Sequence, residues 1–254
     1  FKLQNPMIKF SSAFLFIITI SFIFTQTGFS QSKKDLEREY KVYKTNKVKT
    51  ETIQYNDGTK TVNSYDIQGR KTEEVSYFEN NQSNKTTYKY DSKGLPEEEK
   101  YFGFESGDSY TTKFTYDEAG NLIKTVSTGS LEDISEYAND EMGNPVKISY
   151  FSPTDTKSAY DFLEYKNTYA NGMLTSIETK CKEGDETTFG SKFTYDGEKI
   201  ILNEDYTKNC KTGAVTIGAK KTFEYSANGL IKLTKYSDTY LTEPRTGTYT
   251  YEYY

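Results

Sequence analysis

The side chains of this sequence that are suited to chemistry are carboxylates, aromatic rings and two cysteines, because the chain contains no histidine. The commonest general base and neutral metal ligand is therefore missing, and Ser-His or Cys-His nucleophile pairs are excluded. A glycoside hydrolase needs only two carboxylates, and acidic runs occur at Glu97–Glu99 and Glu183–Glu186. Both runs resemble solvated charges of loops or strands. A carboxylate-dependent glycan hydrolase is thus an alternative hypothesis and not the leading one.

The sequence predicts no cofactor and no metal. Aspartates follow tyrosine at Asp66, Asp91, Asp117 and Asp196, but none belongs to the dense Asp/Asn series of a calcium loop. No glycine-rich phosphate loop precedes a helical pattern, so no nucleotide site is expected. These aspartates are interpreted as turn residues, whose side chains accept hydrogen bonds from the backbone two residues further on.

Aromatic rings carry the binding hypothesis. Phe and Tyr make up 16% of the chain, and pairs of rings two residues apart precede several turn-like segments. Because alternate residues of a strand share a face, each pair is expected on one face of a sheet, suited to stacking on sugars or contacting a protein. The alternative is that the rings simply pack across strands and hold the sheet together. The candidate ligand-binding rings are Phe114, Tyr116, Phe193, Tyr195, Phe223 and Tyr225.

Cys181 and Cys210 are the only cysteines. Both follow the second strand of a predicted hairpin, one repeat apart on the same sheet edge. Equivalent strands of a meander are about 9–10 Å apart, which exceeds the reach of a disulfide unless the loops bend inward. The sequence therefore leaves the bond open, in a chain expected to reside where disulfides are permitted.

Repeated hairpins are the elements that position these side chains. Seven segments combine a Tyr with a Gly a few residues later, and successive glycines are 23 to 32 residues apart, a spacing typical of repeat architectures. Alternating segments flank each turn, which indicates strand, turn, strand. Polar segments between the units, such as Glu79–Thr87, are predicted to be return loops on the opposite sheet edge. The turn glycines are Gly69, Gly94, Gly120, Gly143, Gly172, Gly197 and Gly229.

The predicted fold class is all-β, an antiparallel β-hairpin repeat of about 14 to 17 strands forming a curved or twisted meander sheet. A single-layer sheet is the leading form, and partial closure on itself is the alternative. The chain has five prolines and no Gly/Ser-rich linker, so residues 31–254 are predicted to be one domain, with repeats from about residue 55. Lys33–Tyr40 is interpreted as a helical turn or a polar leader.

The units resemble the YD repeats of the RHS family, and the fullest is YDEAGNL at Tyr116–Leu122. The resemblance covers roughly residues 55–254 and implies antiparallel hairpins that follow one another in a long curled strip. In that family a long strip encloses a toxin domain. Too few units are expected here to close such a shell, and no cargo domain is expected after them, so only the hairpin strip is implied.

The first thirty residues predict export. Lys9 precedes the apolar run Ser11–Phe24, and the small residues Gly28 and Ser30 follow at the spacing of a cleavage site. This pattern is typical of a secretory signal peptide, and the run is short for a spanning helix of about 20 residues. Residues 1–30 are interpreted as the signal peptide, with residues 1–6 upstream of the natural start or non-native. The expected location is periplasmic, cell-surface or secreted.

The charge of the remaining chain narrows its partners. Residues 31–254 carry 30 basic and 37 acidic residues, a net charge of −7, which argues against nucleic acid. No stable membrane insertion is expected after signal cleavage. The leading hypothesis is an exported, non-enzymatic repeat protein of the bacterial cell envelope that binds a polysaccharide or surface protein through aromatic sheet faces. Besides the hydrolase, the other alternative is an architectural envelope protein without a small ligand.

Overall fold

The computed structural model describes residues 32–154, 159 and 161–254. The predicted signal peptide lies outside the described residues. The described chain folds into one helix followed by sixteen strands. These elements are α1 (Lys33–Thr45), β1 (Val48–Tyr55), β2 (Lys60–Tyr65), β3 (Lys71–Phe78), β4 (Asn81–Tyr90), β5 (Pro96–Gly103), β6 (Ser109–Tyr116), β7 (Leu122–Gly129), β8 (Asp133–Asn139), β9 (Pro145–Phe151), β10 (Asp161–Ala170), β11 (Met173–Thr179), β12 (Thr187–Asp196), β13 (Lys199–Asn209), β14 (Val215–Tyr225), β15 (Ile231–Asp238) and β16 (Arg245–Tyr253).

The sheet is an antiparallel meander that closes into a barrel. Each strand pairs with its neighbours in sequence, and β1 also pairs with β16, with Ile53 opposite Tyr249. The predicted all-β antiparallel meander is confirmed. The prediction of an open, curved sheet was wrong, because the final Tyr-rich strand pairs with β1 and closes the sheet. Closure leaves no edge strand with unpaired backbone groups.

The tyrosine-aspartate turns gather at one end of the barrel, which we call the turn end. The Asp66 carboxylate accepts hydrogen bonds from the backbone N–H groups of Gln68 and Arg70, at 2.9 and 3.0 Å. The N–H of Gly69, which has φ 82°, donates to the Asp66 carbonyl. The same set of bonds recurs at Asp91 and Asp140. The opposite end, with the return connections, is the loop end.

A β-bulge follows each of the seven turns at the turn end. Tyr90 pairs with Pro96 and Lys89 pairs with Glu98, so Glu97 is an extra residue on the second strand. Bulges bend a strand and increase its twist, and repeated bulges provide the curvature that closure needs. The extra residues are Thr72, Glu97, Ile123, Val146, Thr175, Ile201 and Lys232.

One predicted return loop is a strand. Glu79–Thr87 was expected to be a loop, but β4 begins at Asn81. Glu79 and Asn80 both have positive φ, 48° and 69°, and they form a two-residue hairpin turn whose twist matches that of the flanking strands. The connection therefore needs no longer loop.

The two faces of the barrel wall differ in chemistry. Residues directly opposite one another across strands share a face, and the inner face includes the row Glu51, Asn63, Glu74 and Thr86. Along β8–β12 the inner face is mainly apolar. There an apolar cluster fills part of the lumen and consists of Ile148, Tyr165, Ile177 and Phe193, with Tyr137, Tyr150, Leu163, Leu174, Tyr195 and Ile200 packed against it.

The outer face carries cross-strand ion pairs between lysine and glutamate. Lys124 lies 2.9 Å from Glu136, and Lys220 lies 2.8 Å from Glu204. Such exposed pairs contribute little to stability, but they give the wall a charged outer surface. Further outer pairs are Lys85–Glu73, Lys89–Glu98, Lys100–Glu98, Lys180–Glu164, Lys208–Glu178 and Lys235–Glu224. Within the described residues, no helix has the length and apolar character needed to cross a bilayer.

Helix α1 lies across the turn end. Ser32 caps its first turn, because its hydroxyl oxygen accepts a hydrogen bond from the backbone N–H of Asp35 at 3.4 Å, a group otherwise left unpaired at a helix start. The same hydroxyl donates to the Asp35 carboxylate at 2.7 Å. Leu36 and Tyr43 are its buried residues. The sequence predicted only a helical turn or a polar leader at Lys33–Tyr40 and so underestimated the length of the helix. The helix continues to Thr45 because its apolar side packs on the barrel.

The two cysteines are joined by a disulfide at the loop end. The Cα atoms of Cys181 and Cys210 are 5.9 Å apart. The loops after β11 and β13 converge, and the N–H of Cys210 donates to the Glu186 carbonyl at 2.9 Å. This inward bend removes the separation that regular strands would impose.

Replacing Gly69 by Ala is expected to destabilise the fold more than replacing Gly94 by Ala. Both glycines have φ 82° in equivalent turns, so both variants carry similar backbone strain, about 1–2 kcal/mol. Only at Gly69 would the methyl carbon meet the helix, 2.3 Å from the Tyr40 carbonyl oxygen; at Gly94 the nearest atom is Arg70 Nη1, at 3.9 Å.

Urea unfolding of the two variants measures the difference. We expect G69A to have a free energy of unfolding lower than that of G94A by about 1–3 kcal/mol, the usual cost of overpacking. Equal losses would show that α1 does not dock on this turn in solution.

Candidate functional site: the lumen beneath the helix

A cavity of about 710 Å³ lies in the barrel beneath α1. This volume is within the range of small-ligand sites, about 300–1,000 Å³. Its wall is formed by the helix, by β1–β4 and, across the lumen, by β11–β16. The apolar cluster occupies the neighbouring part of the barrel, so the cavity is the portion of the lumen that side chains do not fill.

A buried carboxylate organises the wall next to the helix. Glu51 accepts hydrogen bonds from the Tyr43 and Tyr65 hydroxyls, at 2.8 and 3.1 Å, and from the Asn63 amide at 2.8 Å. The rings of Tyr43 and Tyr65 stack with centroids 4.3 Å apart. Burial, reinforced by the charge of Glu51, raises the pKa of both phenols well above the usual value. Both therefore remain hydrogen-bond donors, and they tie α1 to β1 and β2.

A second set of charged residues links β3 to the helix. Lys71 Nζ lies 2.9 Å from Glu74. Burial lowers the pKa of Lys71, but Glu74 and other neighbours raise it more, so the pKa lies above its usual value. Burial raises the pKa of Glu39, on α1, although the Lys71 charge opposes this. The charge of Lys71 thus couples Glu39 of the helix to the Lys71–Glu74 pair of the barrel.

Glu99 has a pKa matched to acid–base chemistry but lies away from the cavity. Burial, with the nearby charge of Glu74, raises its pKa to about 7. Two carboxyl groups with separated pKa values are the arrangement that glycosidases use. Glu74 lines the cavity, whereas Glu99 does not belong to its described lining. Glu99 lies directly opposite Tyr88, which lines the cavity, so of the two carboxyl groups only Glu74 borders the described cavity itself.

The opposite wall carries a lysine among aromatic rings. Lys221, on β14, lies directly opposite Asn203 of β13 and Tyr236 of β15. Its Nζ is 5.3 Å from the centroid of the Phe223 ring. Burial, reinforced by the charge of Arg245 and partly opposed by Asp205, lowers the pKa of Lys221 to about 8. The lining of this side thus contributes Lys221 and Lys199, together with Asp196 and Glu198 of the β12–β13 turn region.

The six rings proposed from the sequence divide into two groups. Phe193, Tyr195, Phe223 and Tyr225 line the cavity, whereas Phe114 and Tyr116 are not part of its described lining. The barrel therefore brings four of the candidate rings together on its inner face, and the sheet does not display all six as one outer row.

The turn tyrosines also have a structural task. The Tyr195 hydroxyl donates to the Leu174 carbonyl and the Tyr225 hydroxyl to the Ile200 carbonyl, each at 2.8 Å. The same link from a tyrosine to the preceding hairpin recurs at Tyr90, which donates to the Lys71 carbonyl at 2.6 Å. These hydroxyl groups fix one hairpin against the next, which restricts how freely their rings can adjust to a ligand.

Sequence reasoning missed the charged residues of the site. Glu51 and Lys221 were not singled out, although a signal was present. Each stands in the same alternation as inward-facing apolar residues, Glu51 with Ile53 and Lys221 with Phe223. A charge at an apolar position of a strand is the pattern that marks a polar lumen.

Three solved structures are similar to this chain at low identity and low TM-score. A porin-like protein from Bacteroides uniformis ATCC 8492 is 14% identical over 81% of this chain and 98% of its own, with a TM-score of 0.43. TcdB2-TccC3 without its hypervariable C-terminal region is 12% identical, covers 75% of this chain and 14% of its own, and has a TM-score of 0.26. TcdB2-TccC3-TEV is 11% identical, covers 73% of this chain and 13% of its own, and has a TM-score of 0.28.

Likenesses of this strength indicate nothing about what the chain binds or does. No protein-family model matches the sequence, and no curated protein matches it significantly. The resemblance to YD repeats therefore rests on the hairpin units themselves, and the encircling barrel replaces the long strip that the resemblance implied.

Replacing Glu51 by Gln is expected to lower the free energy of unfolding by about 1–3 kcal/mol, because the amide NH₂ would face donors that now bond to a carboxylate. Glu252 is the matched control on the outer face, where it accepts one exposed hydrogen bond from Thr50. E252Q should change stability by less than about 0.5 kcal/mol. Chemical denaturation of both variants tests this, and similar losses would show that Glu51 does not organise the helix contact.

Proposed function

We propose that this chain is a non-enzymatic binding protein that holds a saccharide in the lumen beneath α1. The observation that carries the proposal is the cavity of about 710 Å³, whose wall combines aromatic rings with carboxylate, amide, amine and phenol groups. Rings provide flat apolar surfaces for the faces of sugar rings. The polar groups supply donors and acceptors for sugar hydroxyls. Few other classes of small ligand need both kinds of contact around their whole perimeter.

The inner position of the rings sets the size of the proposed ligand. A long polysaccharide stacked along an exposed sheet requires a continuous outer row of rings, whereas Phe193, Tyr195, Phe223 and Tyr225 border an enclosed space. A short saccharide, or the end of a longer one, fits such a space. The proposal therefore keeps the sugar ligand predicted from the aromatic pairs and moves it from the sheet surface to the lumen.

A glycan array tests the proposal with two phenylalanine variants. Phe223 lines the cavity, and Phe102 is exposed on the outer face. The wild-type exported chain and F102A are expected to retain the same short glycans. F223A should lose at least tenfold in signal while remaining folded by circular dichroism.

Two other results would decide against the proposal. Loss of signal in F102A with F223A unaffected would move the site to the outer wall. Retention of no glycan by the wild-type chain would favour a protein ligand or an architectural role.

We further infer that the barrel is exported and works surrounded by water. Support comes from its outer wall, where lysine–glutamate pairs such as Lys124–Glu136 and Lys220–Glu204 recur from strand to strand. A lysine on a lipid-facing wall costs about 2–4 kcal/mol at the bilayer midplane. The disulfide between Cys181 and Cys210 agrees with an oxidising compartment. The repeated Asp-x-x-Gly turns support a hairpin unit of the YD type.

Cell fractionation distinguishes a hydrated barrel from a membrane-embedded one. After export in a Gram-negative host, the chain is expected in the osmotic-shock or culture fraction without detergent, because its outer wall is charged. Its intact mass should fit cleavage after Ser30. Recovery only from outer membranes by detergent would contradict the proposal, and so would retention of residues 1–30.

A further inference from the structure

We infer that the lumen ligand is an acidic saccharide of the uronic acid class and that Lys221 binds its carboxylate. This inference rests on the proposed saccharide function and adds the charge of the ligand and the residue that selects it. It is carried by the placement of Lys221, by the unsatisfied amide beside it and by the ring next to it.

Lys221 is an inward-facing lysine that forms no ion pair in the part of the chain that the structure describes, although the negative charge of Asp205, on the same face of β13, acts on it. Among the described residues, no carboxylate lies within 4.0 Å of its Nζ, whereas the next residue back, Lys220, lies on the outer face 2.8 Å from Glu204. An enclosed ammonium group is costly unless it is paired. The carboxylate of a ligand entering the cavity would supply the partner that the protein does not provide.

The groups around Lys221 favour an anion. Arg245 of β16 adds positive charge, and Asp205 of β13 adds negative charge. Asp205 accepts a hydrogen bond from Ser191 at 2.6 Å, and Tyr236 lies opposite Lys221 on β15. Arg245 is already held 2.7 Å from Asp57. It therefore adds positive charge near Lys221 but does not provide the contact that binds the ligand. Lys221 and Lys199 are the lysines of β13 and β14 on the described cavity lining, and Lys221 is the one that lies beside Phe223 and Asn203.

Asn203 lies behind the described cavity lining, next to Lys221, and carries a buried acceptor that a ligand hydroxyl could use. This residue, 5% exposed, lies directly opposite Lys221, and its Oδ1 has no hydrogen-bond partner among the described residues. A buried acceptor without a donor costs about 1–3 kcal/mol. A sugar hydroxyl next to the ligand carboxylate would provide that donor once the neighbouring side chains adjust.

Phe223 completes the subsite. Its ring lies on the same face of β14 as Lys221, with 5.3 Å between the Lys221 Nζ and the ring centroid. A carboxylate bound to Lys221 would therefore place the attached pyranose ring next to Phe223. Charge, hydroxyl and ring are the three features that a uronic acid combines and that a neutral sugar or a simple organic acid lacks in part.

The proposal requires a specific pH dependence. Binding needs the ammonium form of Lys221, and burial lowers the pKa of this group to about 8 in the free protein. Affinity should be constant near pH 6–7, where uronate carboxylates are ionised, and should fall as the pH rises above about 8, approaching tenfold per pH unit.

Titration calorimetry on the full exported chain tests the inference with D-glucuronate, D-galacturonate and their disaccharides, against D-glucose and D-galactose. The acidic sugars should bind at least tenfold more tightly than the neutral ones. K221M should remove this preference, whereas K220M, which alters the adjacent outer lysine, should leave it unchanged. K221R keeps a positive charge to high pH, and should retain binding at pH 9, where the wild type loses it.

The possible outcomes separate this inference from the proposed function. Equal binding of neutral and acidic sugars, unaffected by K221M and abolished by F223A, would overturn the acidic ligand and retain the saccharide site. Acid-specific binding that survives K221M would move the anchor elsewhere. Absence of binding by every sugar to folded wild-type protein would overturn both proposals.

Discussion

Closure of the meander is the constraint on which the rest of this structure depends. Sixteen strands paired edge to edge enclose a lumen wider than inward side chains can fill, since barrels of this strand number leave a channel. The protein occupies that space in three ways. The apolar cluster fills the side of β8–β12, α1 covers the turn end, and the remainder is the cavity. The candidate site is thus a consequence of strand number before it is a consequence of any particular residue.

The interior must pair its buried polar groups and also leave some polar groups available to a ligand. Inward polar groups such as Glu51 and Lys71 are costly to bury unless they are paired, and most of those beside the helix have partners. Glu51 has three donors, and Lys71 has Glu74. The wall of β13 and β14 departs from this rule at Asn203 and Lys221, and beside the helix the Oδ1 of Asn63 also has no hydrogen-bond partner among the described residues. Local departure from satisfied pairing is typical of functional surfaces, and on the β13–β14 wall it coincides with the lysine proposed to bind the ligand.

The local elements could be predicted from the sequence, whereas closure could not. Asp66 and Gly69 specify their turn through bonds spanning only a few residues, and the same signals recur along the chain, so the hairpins follow directly. Pairing of Ile53 with Tyr249 joins the two ends of the repeat region, and no local pattern encodes it. Helix α1 was underestimated because only Leu36 and Tyr43 of its residues are buried, which leaves a weak apolar stripe.

The site, too, could be predicted only in part from the sequence. Rings at alternate positions were recognised because aromatic residues mark binding surfaces, and four of the six line the cavity. Lys221 and Glu51 were overlooked because a charged residue within a strand is usually assigned to the solvated face. Which face is solvated depends on closure, so the charges acquire their meaning only when the barrel is known.

The sequential pairing around the barrel also means that the ring has no intrinsic first hairpin. Since β1 and β16 are neighbours like any other two strands, the same barrel would result from a chain opened at another loop and joined near Val48 and Tyr253. A hairpin gained or lost by duplication would change the circumference by two strands while keeping every pairing rule. Barrel diameter increases roughly in proportion to strand number. The width of the lumen is therefore open to evolution in discrete steps, independently of the side chains that line it.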